Sequence, residues 1–123
     1  MAALLDTCIL IGLLRRDDRA ERMVLALPVR PYVCAVSEME LNAGARSQGE
    51  ERRIEAVLSA FHWAPIDRNV FQRAGGLLRH FRASHGLDIP DALIAAAAEH
   101  HGLDLATLNV KHFPMFKRLK AAY

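Results

Sequence analysis

Cysteine and histidine patterns that hold soft metals are missing from this chain. Its only cysteines, Cys8 and Cys34, stand alone with no C-x-x-C pair, which excludes a disulfide framework and a thiolate zinc site. The histidines form no H-E-x-x-H motif. His100 and His101 are adjacent and point to different sides of a helix, and the five-residue step from His80 to His85 is poor helical spacing for joint ligation. These histidines read as surface residues, and the two cysteines as small buried hydrophobes in a reducing compartment. No apolar run reaches the roughly 20 residues that cross a membrane. The apolar start, Met1 to Leu14, lacks a basic leader, contains Asp6 and is followed rather than preceded by arginines, unlike a signal peptide. A cytoplasmic location is the expectation. Repeats, low-complexity tracts and linkers are also lacking, and the net charge of +2 gives no bulk attraction to a polyanion.

What is present suits one globular domain spanning residues 1–123, with 52% apolar and 24% charged residues. The positive charges are clustered: Arg15, Arg16, Arg19 and Arg22; Arg52 and Arg53; Arg73, Arg79 and Arg82; Lys111, Lys117, Arg118 and Lys120. Basic rims around an acidic centre suit a nucleic-acid substrate. The plainer reading is a solvated surface.

Apolar runs alternate with helical patterns. Ala2–Leu5 reads as a buried parallel strand ending at Asp6. Thr7 is expected to cap a helix through Leu14, Asp17-Asp18 to break it, and Arg19–Leu27 to form a second. Tyr32–Ala35 reads as the second strand. Ser37-x-x-Glu40 has the form of a capping box, opening a helix to about Arg46. Glu50–Phe61 is amphipathic, with Ile54, Val57, Leu58 and Phe61 on one face. Trp63–Ile66 is a weak third strand. Asp67 caps the longest helix, which Gly86 ends. Asp88, Pro90 and Asp91 open another, uncharged on every face from Leu93 to Ala98 and therefore buried. Gly102 stops it, Leu103–Thr107 is a strand, and the tail from Phe113 offers a last edge strand around Leu119. This alternation predicts an α/β domain, three-layered α/β/α around a mostly parallel sheet of four or five strands.

Three acids stand out by position. Asp6 follows the first strand, Glu40 is expected in the first turn of the helix after the second, and Asp91 in the first turn of the helix before the last. In open α/β sheets ligands bind at the edge where strands end and the following helices begin. Asp91 reaches that edge only if the chain crosses back before its helix. Glu40 and Asp91 each have a plainer role, completing capping boxes with Ser37 and Asp88. Asp6 is harder to dismiss, because a carboxylate directly after an apolar strand has no helix-turn partner, would be half buried, and needs a charge or several donors when buried. Carboxylate oxygens without cysteine or paired histidine select hard cations, Mg²⁺ or Mn²⁺.

Three stretches carry a resemblance. Asp91-Ala-Leu-Ile-Ala-Ala96 followed by Gly102-Leu-x-Leu-Ala-Thr-x-Asn-x-x-x-Phe113 resembles the C-terminal half of a PIN domain, and more narrowly the VapC toxins of bacterial toxin-antitoxin pairs. Leu4-Leu5-Asp6-Thr7 and Ser37-Glu38-Met39-Glu40-Leu41-Asn42-Ala43-Gly44 match the same family in the same order. The resemblance implies a PIN-like fold with Asp91 at the active edge. It implies metal-dependent hydrolysis of RNA phosphodiesters, leaving a 5′-phosphate and a 3′-hydroxyl. Asp6, Glu40 and Asp91 would hold Mg²⁺, with Mn²⁺ as substitute, and Asn109 would stand where many PIN domains carry a fourth acid. Thr7, Ser37 and Thr107 would orient carboxylates or water, or serve as plain caps. His112 replaces an acid that some relatives carry. A small VapB-like antitoxin and a homodimer follow from the same resemblance. So does a groove for the antitoxin between the helices Ala20–Leu27 and Glu50–Phe61.

Rival readings remain. An aspartyl-nucleophile phosphotransferase also places Asp after its first strand but needs a second Asp at the position of Cys8. A receiver domain needs an early acidic pair, which is missing. A PIN module that only binds a partner, or an RNA-processing PIN nuclease that is not a toxin, would keep the fold and change the role.

Overall fold

The computed structural model describes residues 2–123; Met1 lies outside the described residues. The elements are β1 (Ala3–Leu5), α1 (Thr7–Leu14), α2 (Asp18–Leu25), β2 (Tyr32–Val33), α3 (Ala35–Ala43), α4 (Gln48–Leu58), β3 (His62–Trp63), α5 (Arg68–His85), α6 (Ile89–His100) and β4 (Asp104–Ala106). A single 3-10 turn follows at Val110–His112. The four strands form one sheet in the order β3-β2-β1-β4, and every pair is parallel. The expected α/β sheet is therefore present in its four-stranded form.

Strand alternation divides the core in two. Leu4, Cys34 and Leu105 face the side covered by α5 and α6, while Leu5, Val33 and Ala106 face α1 and α4. α6 is the most buried helix, with every residue from Ala92 to Ala98 inside. Its alanines allow it to lie close to both the sheet and α5, which an all-leucine helix of this length could not do.

Several helix starts differ from the sequence reading. Asp6, not Thr7, caps α1, accepting the Thr7 N–H. Asp17 does not merely break a helix but caps α2. α4 begins at Gln48 behind the cap Ser47, and ends at Leu58. The third strand is His62–Trp63 rather than Trp63–Ile66. Around Leu119 no strand forms; the tail packs Met115, Phe116 and Leu119 onto the outer side of the core instead. Asp67, Gly86 and Asp88 act as expected. The first and last cap α5 and α6, and Gly86 ends α5 in the left-handed region at φ 65°.

The crossing that brings Asp91 to the functional edge lies earlier than anticipated. α5 and α6 run antiparallel, since Arg73 near the start of α5 pairs with Glu99 near the end of α6 at 2.7 Å. His101, just past α6, donates from Nε2 to the Pro65 carbonyl at 2.6 Å. Residues 64–67 therefore carry the chain from the end of β3 to the opposite side. α5 returns, and α6 starts where the strands end.

Candidate active site

The order β3-β2-β1-β4 puts β1 at the point where the chain's progress across the sheet reverses. That is where open α/β sheets bind ligands. Asp6 leaves β1 there, only 3% exposed. Its Oδ1 accepts the Thr7 N–H at 2.8 Å and its Oδ2 accepts the Thr107 hydroxyl at 2.6 Å. Thr107 comes from the far end of the chain and is fully buried. Its hydroxyl also receives the Asn109 N–H at 3.0 Å, so its proton is committed to Asp6.

A second relay fixes Glu40. The Thr7 hydroxyl donates to Glu40 Oε1 at 2.7 Å and lies 2.9 Å from Ser37 Oγ. Thr7 has one proton, given to Glu40, so Ser37 is the donor in the remaining bond. This removes the capping-box reading. α3 starts at Ala35 behind Cys34, which makes no side-chain cap, and Ser37 points across to α1. The Ser-x-x-Glu spacing places both residues toward Thr7 from successive turns of one helix.

Asp91 sits at the third helical position of α6, its N–H held by Asp88 Oδ1 at 3.0 Å. Among the described residues the reciprocal capping bond from the Asp91 carboxylate to the Asp88 N–H is not made. That carboxylate instead approaches His112 Nδ1 at 3.3 Å. Burial first, and then the negative charges of Asp88 and Asp6, push the Asp91 pKa up to about 7, with His112 pulling the other way. His112 therefore belongs to the site's rim rather than to the bare surface assigned to the other histidines.

Cys8 was missed as a site residue. Half-buried, it receives the Leu108 N–H at 3.4 Å and lies 3.5 Å from Asp6 Oδ2 as a donor. Burial and the nearby Asp6 charge raise its pKa, which keeps the thiol protonated. Its two-residue offset from Asp6 within the first turn of α1 was the available signal. Asn109 contributes its backbone N–H, while its residue is exposed at the exit of β4.

Asp6, Thr7, Ser37, Glu40 and Thr107 are thus directly linked, and Asp91 is within electrostatic reach of Asp6. Among the described residues, no three His, Cys, Asp or Glu side chains are gathered closely enough to hold an ion as they stand. The donor chemistry nevertheless suits a hard cation. All the donors are oxygens, and the crowding that raises the Asp91 pKa is the field that a divalent ion relieves.

The family model described as "PIN domain" matches residues 3–120. This chain belongs to the PIN-domain family. Two Mycobacterium tuberculosis proteins resemble this PIN domain over nearly its whole length. Ribonuclease VapC10 is 39% identical over 123 residues, covering 98% of this chain and 92% of the relative. Ribonuclease VapC19 is 39% identical over 124 residues, covering 98% of each. Among solved structures, a chain of a toxin-antitoxin complex from Klebsiella pneumoniae superposes with a TM-score of 0.83. It is 32% identical, with 99% of this PIN domain and 98% of that chain covered. Among the described residues no helix is long and apolar enough to cross a membrane.

Proposed function

We propose that this PIN domain is a metal-dependent endoribonuclease, the toxin of a VapBC-type pair, with Asp6, Glu40 and Asp91 as the metal-holding acids. The observation that carries the reading is the treatment of Asp6. A buried carboxylate is fixed by two donors at the sheet's switch point, with two more acids on the same edge. Thr107, at the exit of β4, orients the second oxygen of Asp6 in addition to the capping bond made by the first.

A divalent ion bound there supplies Lewis-acid polarisation of the scissile phosphate and lowers the pKa of bound water. The chain's own residues do the rest. Thr107 and the Thr7 N–H hold Asp6 in one rotamer, and the Ser37–Thr7 relay holds Glu40 with one oxygen engaged and one free. Asp91 is the adjustable member, because burial first, and the charges of Asp88 and Asp6 next, push its pKa up to about 7. Among the described residues the acids are not gathered closely enough to hold an ion as they stand, so ion binding would draw them together. The three acids against one divalent ion would leave about −1, and a second ion would bring them to about +1 before any phosphate arrives, offset in part by the Asp88 charge beside Asp91. One firmly held ion would therefore be expected in the free protein, and the Asn109 side chain could offer a neutral oxygen at the same edge.

The antitoxin reading also gains a surface, in a different place from that expected. A cleft of about 380 Å³ runs between α1, α3 and α4, lined by Ile11, Leu14, Leu41 and Ile54, with Glu40 and Arg15 beside them. It is formed with α1 rather than α2. An amphipathic helix seated there would end beside Glu40. Homodimerisation rests on the family alone and is tested by light scattering on the purified protein.

The deciding experiment is RNA cleavage by purified protein with Mg²⁺ or Mn²⁺ and with chelator. Cleavage that needs the ion and is lost in Asp91→Asn supports the reading. An intact, folded protein without activity under any divalent ion supports the module that only binds a partner.

A further inference from the structure

We propose that Ala122 and Tyr123 are positioning residues for Asp6, acting through Thr107. This rests on the reading of Asp6 as a metal-holding acid. Thr107 is engaged at both ends. Its hydroxyl is locked between Asp6 and the Asn109 N–H, and its carbonyl receives the Ala122 N–H at 2.9 Å. The same segment is anchored one residue later on the opposite side of the site. Tyr123 packs with the α1-side core, and the Arg19 guanidinium lies 5.4 Å from its ring centroid. Its hydroxyl comes so close to Gly12 that a Cβ there would sit 2.9 Å from it, and equally 2.9 Å from the Ala20 Cβ. Gly12 belongs to α1, the helix that Asp6 caps.

Residues 122 and 123 therefore span from the exit of β4 to the flank of α1. Thr107 follows β4 and Asp6 caps α1; the Asp6 N–H also donates to the Ala106 carbonyl at 2.9 Å, so the tail reinforces a tie that the β1–β4 ladder begins beside the 2.6 Å Thr107–Asp6 bond. Hydrogen bonds of this kind weaken steeply when stretched or bent, so a small shift between β4 and α1 releases Asp6 Oδ2. Gly12 suits the joint because a Cβ there would press on both the Tyr123 hydroxyl and the Ala20 Cβ, each at 2.9 Å.

The test compares Tyr123→Ala, Ala122→Pro, Gly12→Ala and Tyr123→Phe with the unaltered protein. Val70→Ala, in the other half of the core, serves as a control of similar destabilisation. Two quantities are read well below each variant's Tm. One is hydrogen exchange of the Thr7 and Asn109 amides in metal-free protein; the other is Mn²⁺ affinity by calorimetry. The first three variants are expected to exchange both amides roughly tenfold faster and to bind Mn²⁺ roughly tenfold more weakly. Tyr123→Phe, which keeps the ring, should stay close to the unaltered protein, and Val70→Ala should change neither quantity. Unchanged exchange at both amides in Tyr123→Ala and Ala122→Pro overturns the inference, as does an equal effect from Val70→Ala. If the unaltered protein binds no Mn²⁺ while the exchange pattern appears, the positioning role stands and the metal reading falls.

Discussion

At the scale of single residues, Asp6 and Asp91 are unlike acids. Asp6 is saturated with donors, so Asp6→Asn sets an amide N–H₂ against a donor. It is expected to cost about 1–3 kcal/mol of stability along with activity. Asp91→Asn is the cleaner probe, because the residue accepts no buried hydroxyl. It should abolish metal-dependent cleavage and leave the far-UV spectrum unchanged. Its effect on metal-free stability has a definite sign. The Asp91 proton is lost near pH 7 in the folded chain against the ordinary 3.8. The native state thus holds more protons between these values, and stability falls as pH rises through that window. Above it, Asp91→Asn should be more stable than the unaltered protein, by about 1–2 kcal/mol after allowing for solvent screening. Urea melts in chelator at pH 5 and pH 8 measure this. A stability that does not fall between the two in the unaltered protein contradicts the crowding at Asp91.

At the scale of elements, the site is a set of helix starts. α1, α3 and α6 each bring a residue from their first or second turn to one edge, and the caps do double duty. Thr7→Val removes the middle of the Ser37–Thr7–Glu40 relay and leaves the buried Ser37 hydroxyl without its acceptor. It should cost about 1–3 kcal/mol and weaken Mn²⁺ binding by roughly tenfold, read by calorimetry and thermal melts. Asp88→Asn keeps the cap and removes a charge, so the Asp91 carboxyl should titrate lower, as followed by carboxyl-carbon NMR. The caps Asp67 and Asp88 were legible because each is an Asp followed at once by a periodic helix. The start of α3 was not. Ser37-x-x-Glu40 is the same string whether Ser37 caps a helix or sits within its first turn, and only the position of Thr7 across the sheet decides. Cys8 was only partly legible: its offset of two from Asp6 could be read, but its other partners, Thr107 and Leu108, lie about 100 positions away in sequence.

At the scale of the whole molecule, alternation of apolar runs and helices was enough to give the parallel sheet. It could not give the strand order, nor the crossing at residues 64–67 that brings α6 to the functional edge. The edge strand expected near Leu119 failed because three apolar tail residues can pack onto a core without pairing their backbone. As a toxin, the protein expressed alone should arrest growth, and the small reading frame beside it should rescue the cells. Arg15→Glu or Arg53→Glu, which reverse the charge on the exposed rim of the cleft between α1, α3 and α4, should weaken that rescue and antitoxin co-purification. Toxicity of the freed protein should persist. Soluble, active protein that leaves growth unaffected would count against the toxin role.

The bond between Asp6 and Thr107 joins residues 101 positions apart, and that separation bears on how the protein is made. A chain synthesised from its first residue exposes Asp6 early, yet β1 remains without one neighbour, and Asp6 without its second donor, until β4 has been added. Every earlier length of nascent chain therefore has an incomplete catalytic edge, whatever helices it has already formed. Ribosome-bound chains ending before Thr107 should show no cleavage. On the proposed role of Asp6, the order of the strands would then delay cleavage until the last strand is in place.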